Sequence, residues 1–513
     1  MNCEEKLLEL IAKVEKVSPQ LADRWQATAI VESLGYTDRL IELEFGFADA
    51  LSLGQYIYDR HKKSIAPAPQ KTTPRRTFIR RAIEEISIFI DRFAHSFIYA
   101  VPLLVSLLLE YIPLNKTTEL LPPELNSLLT LATMASLSTS GGFVQMISRR
   151  GEFYFHLGEL RQTRRVCLSL LYLGIATSIL LGTIGLYFGF YRGLFADRYL
   201  ILATLYYLLL SILWMLLATL STQWRWGSPL ILLTLTALFV FLRVGIGIGA
   251  LEAQILAMAV ALAFVMAIVA IVWRKSKESG TEAVELPRQS VVVYLLFPYF
   301  CYGIAYFSFI FADRVAAGLA IDPASGLLFA IDSQYQKGMD LALFNFLVFV
   351  PLIEYLGYRL IRYWYRQAKI LSVDTMAAFS QKLRQRYWLM LVVTVLLFGV
   401  SSEITIGTLK PPSWGISETI QAIIGCLGYL FFVIGLLNAL ILFSLNRAIA
   451  VLQTLLPSLV LNFLLGYFLA HLLGVYWAST GLVIGAAVFV WFSGKKVLQA
   501  ISQPDYAYYL GGY

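Results

Sequence analysis

From about residue 94 to residue 497 the chain alternates long apolar runs with short basic loops. A run of about 20 apolar residues is long enough to cross a hydrocarbon layer as a helix. Twelve such spans are expected, near 94–113, 125–147, 166–190, 199–221, 229–250, 253–273, 291–312, 335–361, 387–408, 419–445, 448–472 and 476–493. The fifth and sixth join through Glu252 and read almost as one helix.

Upstream the pattern is that of a soluble segment. Leu7, Leu8, Leu10, Ile11 and Val14 recur at helical spacing. Ser18 and Pro19 supply a cap and first-turn proline for a second helix that Gly35 ends. Thr37 and Asp38 cap a third, expected to continue to His61. The stretch SIAPAPQKTTP reads as an extended spacer. Arg75, Arg76, Arg80 and Arg81 then precede the amphipathic IEEISIFIDRF, a cluster suited to anionic lipid headgroups.

Charge fixes the orientation of these spans. With a cytosolic N-terminus, the loops after even-numbered spans and the C-terminal flank hold about 20 Lys and Arg against about 6 on the other side, the positive-inside bias. Among them are Arg149, Arg150, Arg161, Arg164, Arg165, Arg366, Lys382, Arg384 and Arg386. Both termini are therefore expected in the cytosol. Residues 366–386 are amphipathic and are expected to lie as a helix on the inner membrane surface.

Composition excludes several classes. Of 513 residues 58% are hydrophobic and 14% charged, so a soluble globular protein is ruled out. The net charge of +8 comes from loop-flanking Lys and Arg, not from a nucleic-acid groove. Cys167, Cys301 and Cys426 lie in apolar runs and Cys3 in the polar N-terminus, without a CxxC pair, so neither a disulfide framework nor a zinc site is indicated. No cofactor or metal motif, phosphate loop or catalytic triad is present, and the short outer loops leave no room for an external catalytic domain. The acidic stretch after Met1 lacks the features of a cleavable signal, so insertion is expected to use internal segments.

Charges inside the spans are the candidate chemistry, because each costs about 2.5–3.5 kcal/mol at a helix centre on insertion scales. Arg243 in the fifth span either holds an anionic substrate group or pairs with Glu252 or another carboxylate. Asp313 with Arg314, and Lys337 with Asp340, form candidate local ion pairs at the membrane interface. Asp340 and Glu354 are 14 residues apart in the eighth span, close to four helical turns, so they point to similar faces and suggest either a shared wet cavity or structural pairing. In the second span Gly141 and Gly142 allow close packing or a bend that lines a pathway.

Two stretches resemble a known family. GGFVQMISRRGEFYFHLGEL is similar to the Gly–Gln–Arg pattern, with a following Gly-Glu, that closes the second span of Pel-type exopolysaccharide exporter membrane subunits. YGIAYFSFIFADRVAAG, followed by FNFLVFVPLIEYLGYRLIRYWYR, resembles their seventh-to-eighth-span region, although Val315, Ala316 and Ala317 stand where the family has an aromatic. Those subunits belong to the multidrug/oligosaccharidyl-lipid/polysaccharide flippase superfamily. By resemblance Gln145, Arg149, Gly158, Glu159, Asp313, Arg314, Pro351 and Glu354 are family-like positions.

The resemblance implies an all-α membrane protein with about 12 helices in two six-helix lobes around a central cavity, carrying a small helical cytosolic head. The expected divisions are a head over 1–63, a linker and amphipathic segment over 64–93, lobes over 94–273 and 291–497, an inter-lobe linker over 274–290 and a tail over 498–513. It further implies a polysaccharide exporter of the bacterial inner membrane, not an enzyme, fed by a cytosolic glycosyltransferase. Arg243, Asp313, Arg314, Asp340 and Glu354 are the candidates for its pathway. A flippase for lipid-linked oligosaccharides and a non-transporting scaffold that recruits partners through the head are the alternatives. A scaffold should bury its membrane charges in pairs.

Overall fold

A computed structural model describes residues 3–18, 21, 23–64, 78–109, 122–193, 195–275, 289–320, 329–368, 376–411 and 414–506. The chain divides into two compact units, Met1–Ile88 with Arg362–Leu383, and Phe89–Ile361 with Arg384–Tyr513.

The first unit carries four short helices, α1 (Cys3–Val17), α2 (Arg24–Ser33), α3 (Asp38–Phe45) and α4 (Ala50–Ser64). Leu10, Val14, Val31, Ile41, Leu53 and Ile57 form its core. Two boundaries differ from expectation. Asp23, not Ser18, caps α2 by accepting from the Gln26 amide at 2.8 Å; Pro19 lies outside the described residues. The third helix splits because Gly46 adopts φ +73°, a left-handed stop that leaves no Cβ to clash. Asp49 then restarts the chain, accepting from the Ser52 amide at 2.7 Å, and these bonds hold its carboxyl below the ordinary carboxylate range.

The membrane helices begin with α5 (Phe78–Phe97), which passes through one 3-10 turn (Ile98–Ala100) into α6 (Val101–Leu109). The amphipathic segment is thus continuous with the first span, which covers Ile83–Val105 and starts about three turns earlier than expected. The others are α7 (Pro123–His156), α8 (Leu160–Arg192), α9 (Asp197–Ser221), α10 (Gly227–Val240), α11 (Ala250–Lys275), α12 (Gln289–Leu319), α13 (Ser333–Ala368), α14 (Met376–Leu409), α15 (Ile416–Ser444), α16 (Ala448–Leu473) and α17 (Ala478–Ser502). Among the described residues, twelve helical stretches are long and apolar enough to span a membrane.

The fifth and sixth spans separate at Gly247 (φ +83°), after a π-helical turn over Phe241–Ile246, and Glu252 falls in the first turn of α11. The expected surface helix over 366–386 does not form as a separate element. Its first residues end α13 and its last ones open α14, with 369–375 outside the described residues. Phe379 and Leu383 are buried, and Phe379 packs 6.2 Å from Tyr363, so these two positions of the stripe meet protein; Ile370, Leu371 and Val373 lie outside the described residues.

The packing repeats after six spans. In the first half α7 packs on α9, α9 on α11 and α10 on α11. In the second half α15 packs on α17 and α16 on α17, while Gly425 of α15 leaves room for Met339 and Ala342 of α13. The halves therefore form two six-helix lobes. They meet along two seams. On one, α7 crosses α12 at Gly141, Gly142 and Gly303, where any Cβ on Gly303 would land on the Gly141 carbonyl. On the other, Phe89 of α5 packs edge-on to Tyr355 of α13 at 5.1 Å. The glycine pair thus serves close packing.

Gly303→Val should lower the thermal stability of the purified protein by the roughly 1–3 kcal/mol of an overpacked contact, whereas Gly399→Val, whose Cβ would meet open space, should leave it unchanged. Thermal unfolding in detergent by intrinsic fluorescence reads the difference.

Candidate functional site

The aromatic run of α12 is held inside the second lobe. Phe309 stacks on Phe432 of α15 at 4.6 Å with the rings 4° apart, and Tyr302 meets Phe443 edge-on at 4.6 Å. That packing fixes the last turns of α12 and places the polar residues that follow. Asp313 is 0% exposed and Arg314 only 4%.

Tyr335 of α13 donates its hydroxyl to Asp313 Oδ2 at 2.8 Å. Arg314 Nη2 lies 2.8 Å from Asp340 Oδ1, also on α13. This contact is an ion pair whose N–H direction falls short of hydrogen-bond geometry, and Arg314 Nε and Asp313 Oδ1 have no hydrogen-bond partner. One turn earlier on α12, the Phe309 carbonyl accepts from Asn462 Nδ2 of α16 at 3.1 Å. The Ile310 carbonyl accepts from the Tyr429 hydroxyl of α15 at 3.4 Å. The result is a buried polar knot joining four helices of one lobe.

This arrangement corrects both expected local pairs. Neighbouring residues on a helix do not face each other, so Asp313 and Arg314 reach different groups of α13. Asp340 turns inward to Arg314, while Lys337 is exposed. Asp340 and Glu354 have different partners. They lie about 21 Å apart along α13 at 1.5 Å per residue, and Glu354 accepts instead from Ser96 Oγ of α5 at 2.7 Å.

Arg243 is separate from all of these. Its Nη1 donates to the Ile248 carbonyl at 3.0 Å, closing the turn that breaks the fifth span. Glu252 folds over Gly249 in the same turn.

Apart from Asp313 and Arg314, which lie near the other end of α12, the family-like positions fall toward the end of the spans that carries the basic loops or, for Pro351, within α13. Arg149 sits 5.3 Å from the Tyr299 ring centre, across the α7–α12 seam. Gly158 takes φ +79° in the turn between α7 and α8, and the Glu159 carbonyl accepts from Thr163 Oγ1 at 2.9 Å. Gln145 is half-buried in α7, and Pro351 is buried within α13.

Two apolar grooves follow the seams. One, of about 450 Å³, is lined by Met134 and Ser138 of α7, Ser308 and Phe311 of α12 and Phe463 of α16. The other, of about 530 Å³, is lined by Phe93 of α5, Phe344 and Val348 of α13 and Val400 and Thr405 of α14. None of the five candidate pathway charges lines either.

Twenty chains of known structure are similar to this one. The chain has the fold of a MATE transporter. The eukaryotic MATE transporter AtDTX14 is 14% identical with a TM-score of 0.51, over 83% of this chain and 98% of that one. An outward-facing multidrug resistance MATE transporter of the MOP superfamily is 12% identical with a TM-score of 0.54, over 81% and 96%. A Vibrio cholerae MATE transporter is 13% identical with a TM-score of 0.52, over 83% and 100%. No protein-family model matches the sequence, and no curated protein is detectably similar to it. The superfamily expected from the sequence is thus the one whose fold the chain shares.

Sequence reasoning missed the uncharged partners. Asn462 and Tyr335 complete the knot, and Asn345 accepts from Ser401 at 2.6 Å and donates to Ser402 at 2.9 Å across α13 and α14. Asn438 likewise accepts from Tyr387 at 2.9 Å and donates to Ser493 at 3.0 Å. An amide in the middle of an apolar run was the available signal, since lipid offers it no partner.

Arg314→Met alone should destabilise the protein by about 3–5 kcal/mol, because it strands buried carboxylates. Adding Asp340→Leu should recover at least half of that loss. Unfolding midpoints of the single and double variants test the coupling.

Proposed function

We propose that the chain is a membrane transporter that works by alternating access and exports polysaccharide across the bacterial inner membrane. The observation that carries the transport reading is the division into two six-helix lobes meeting along two seams, in the fold that MATE transporters use. In this reading the basic loops and both termini face the cytosol. Rocking of one lobe against the other exposes the space between the seams to each side in turn.

The substrate reading rests on the Pel-type resemblance around Gln145, Arg149 and Gly158, and around Asp313, Pro351 and Glu354. It brings with it a cytosolic glycosyltransferase that feeds the growing polymer, with the helical head as its dock. Lipid-linked oligosaccharide is the alternative cargo. It is distinguished by recovery of the exported sugar on a polyprenyl carrier instead of as free polymer.

One observation favours a second reading. Arg314 and Asp340 are paired inside one lobe, as a scaffold that only recruits partners would arrange them. Glu354, at the α5–α13 seam, is therefore the more informative residue. Secretion of polysaccharide should fall at least tenfold in Glu354→Ala while membrane levels of the protein stay normal. Measured alongside, Arg243→Ala reports whether the turn between the fifth and sixth spans also serves transport. Normal secretion from both variants would transfer the reading to the scaffold.

A further inference from the structure

Each seam carries an arginine against a tyrosine ring at its basic end. Arg92 of α5 lies 3.8 Å from the Tyr358 ring centre of α13, and Arg149 of α7 lies 5.3 Å from that of Tyr299 of α12. Both arginines come from the first lobe and both tyrosines from the second. The six-span repeat relates α5 to α12 and α7 to α13, so the two contacts occupy corresponding places on opposite seams. Tyr299 is itself stacked on Phe443 of α15 at 5.6 Å, which holds its ring as part of the second lobe. Beside Tyr358, Phe89 meets Tyr355 and Ser96 bonds Glu354 along the same seam.

We infer that Arg92–Tyr358 and Arg149–Tyr299 are a matched pair of latches that hold the lobes together at the basic end and release together when that end opens. A cation on an aromatic face suits such a duty. It is attractive without a buried counter-charge, so a guanidinium at the membrane surface can leave the ring for water or a lipid phosphate without stranding a carboxylate. The latch also gives Arg149, a family-like position, a role that does not require it to touch cargo.

The inference rests on the alternating-access reading, and its test separates the two. Spin labels are placed at exposed positions at the basic end of each seam, by Phe153→Cys with Tyr294→Cys for α7–α12 and by Ile90→Cys with Arg359→Cys for α5–α13. Cys3→Ser and Cys301→Ser remove competing thiols, and pulsed electron paramagnetic resonance reads the distances in lipid nanodiscs. The double variant Arg92→Gln with Arg149→Gln should raise the ratio of long to short distances about tenfold at both seams. Tyr358→Phe with Tyr299→Phe keeps the ring faces and should change nothing, whereas leucine at both positions should reproduce the arginine result.

A long-distance population in the parent that the arginine variants leave unchanged would overturn the latch alone. So would phenylalanine variants that shift as far as the arginine ones. A shift confined to the seam that was altered would overturn the coupling of the pair. A single distance in the parent and in every variant would sink both the latch and alternating access.

Discussion

The approach of α7 to α12 at Gly141, Gly142 and Gly303 is the contact on which the two-lobe arrangement depends. No hydrophobic driving force draws helices together in lipid, so association relies on close van der Waals packing and on hydrogen bonds between helices. Glycine lets the backbones meet where any side chain would intervene. On the far side of α12, Gly481 and Gly485 of α17 do the same for the backbone of α16 around Asn462. Small residues thus set distances both between and inside the lobes, and aromatic rings fill what remains.

Lipid also explains where the polar groups went. A buried amide, hydroxyl or charge must find its partner within the protein, and in the second lobe these partners lie on neighbouring helices. Asn462 and Tyr429 bind carbonyls of α12, Tyr335 binds Asp313, and Asp340 faces Arg314. Such a knot joins α12, α13, α15 and α16 into one body. In the proposed transporter a rigid lobe would confine rocking to the seams. Toward the basic end of the seams, away from the glycine contact, the interactions are of another kind. Arginine on tyrosine, serine on glutamate and ring on ring can each be exchanged for water or lipid.

The apolar grooves along the seams show that the lobes do not pack flush throughout. Their walls combine helices of both lobes, α7 against α12 and α16, and α5 against α13 and α14. Rigid interiors, exchangeable seams and imperfectly filled junctions are consistent with one lobe moving against the other.

The amino-acid sequence by itself determined the class of protein, the twelve spans and the helical head, because apolar run length and helical periodicity are local properties. Through Gly, Gln and Arg around the end of the second span and the Asp-Arg of the seventh, it also resembled a superfamily whose fold the chain shares. The ends of elements were less legible. Gly46 split a helix that periodicity carried through, and Phe379 and Leu383, from a stripe that looked destined for the membrane surface, are buried in α14, since periodicity cannot tell a protein neighbour from lipid. Only the tertiary structure decided the partners. Asp313 and Arg314 adjoin in the chain yet serve different groups, Asp340 and Glu354 share a helical face yet act far apart, and Arg243 closes its own turn. Pairing in a membrane is settled by which helices lie side by side, and that order depends on glycine contacts and aromatic packing between segments more than a hundred residues apart.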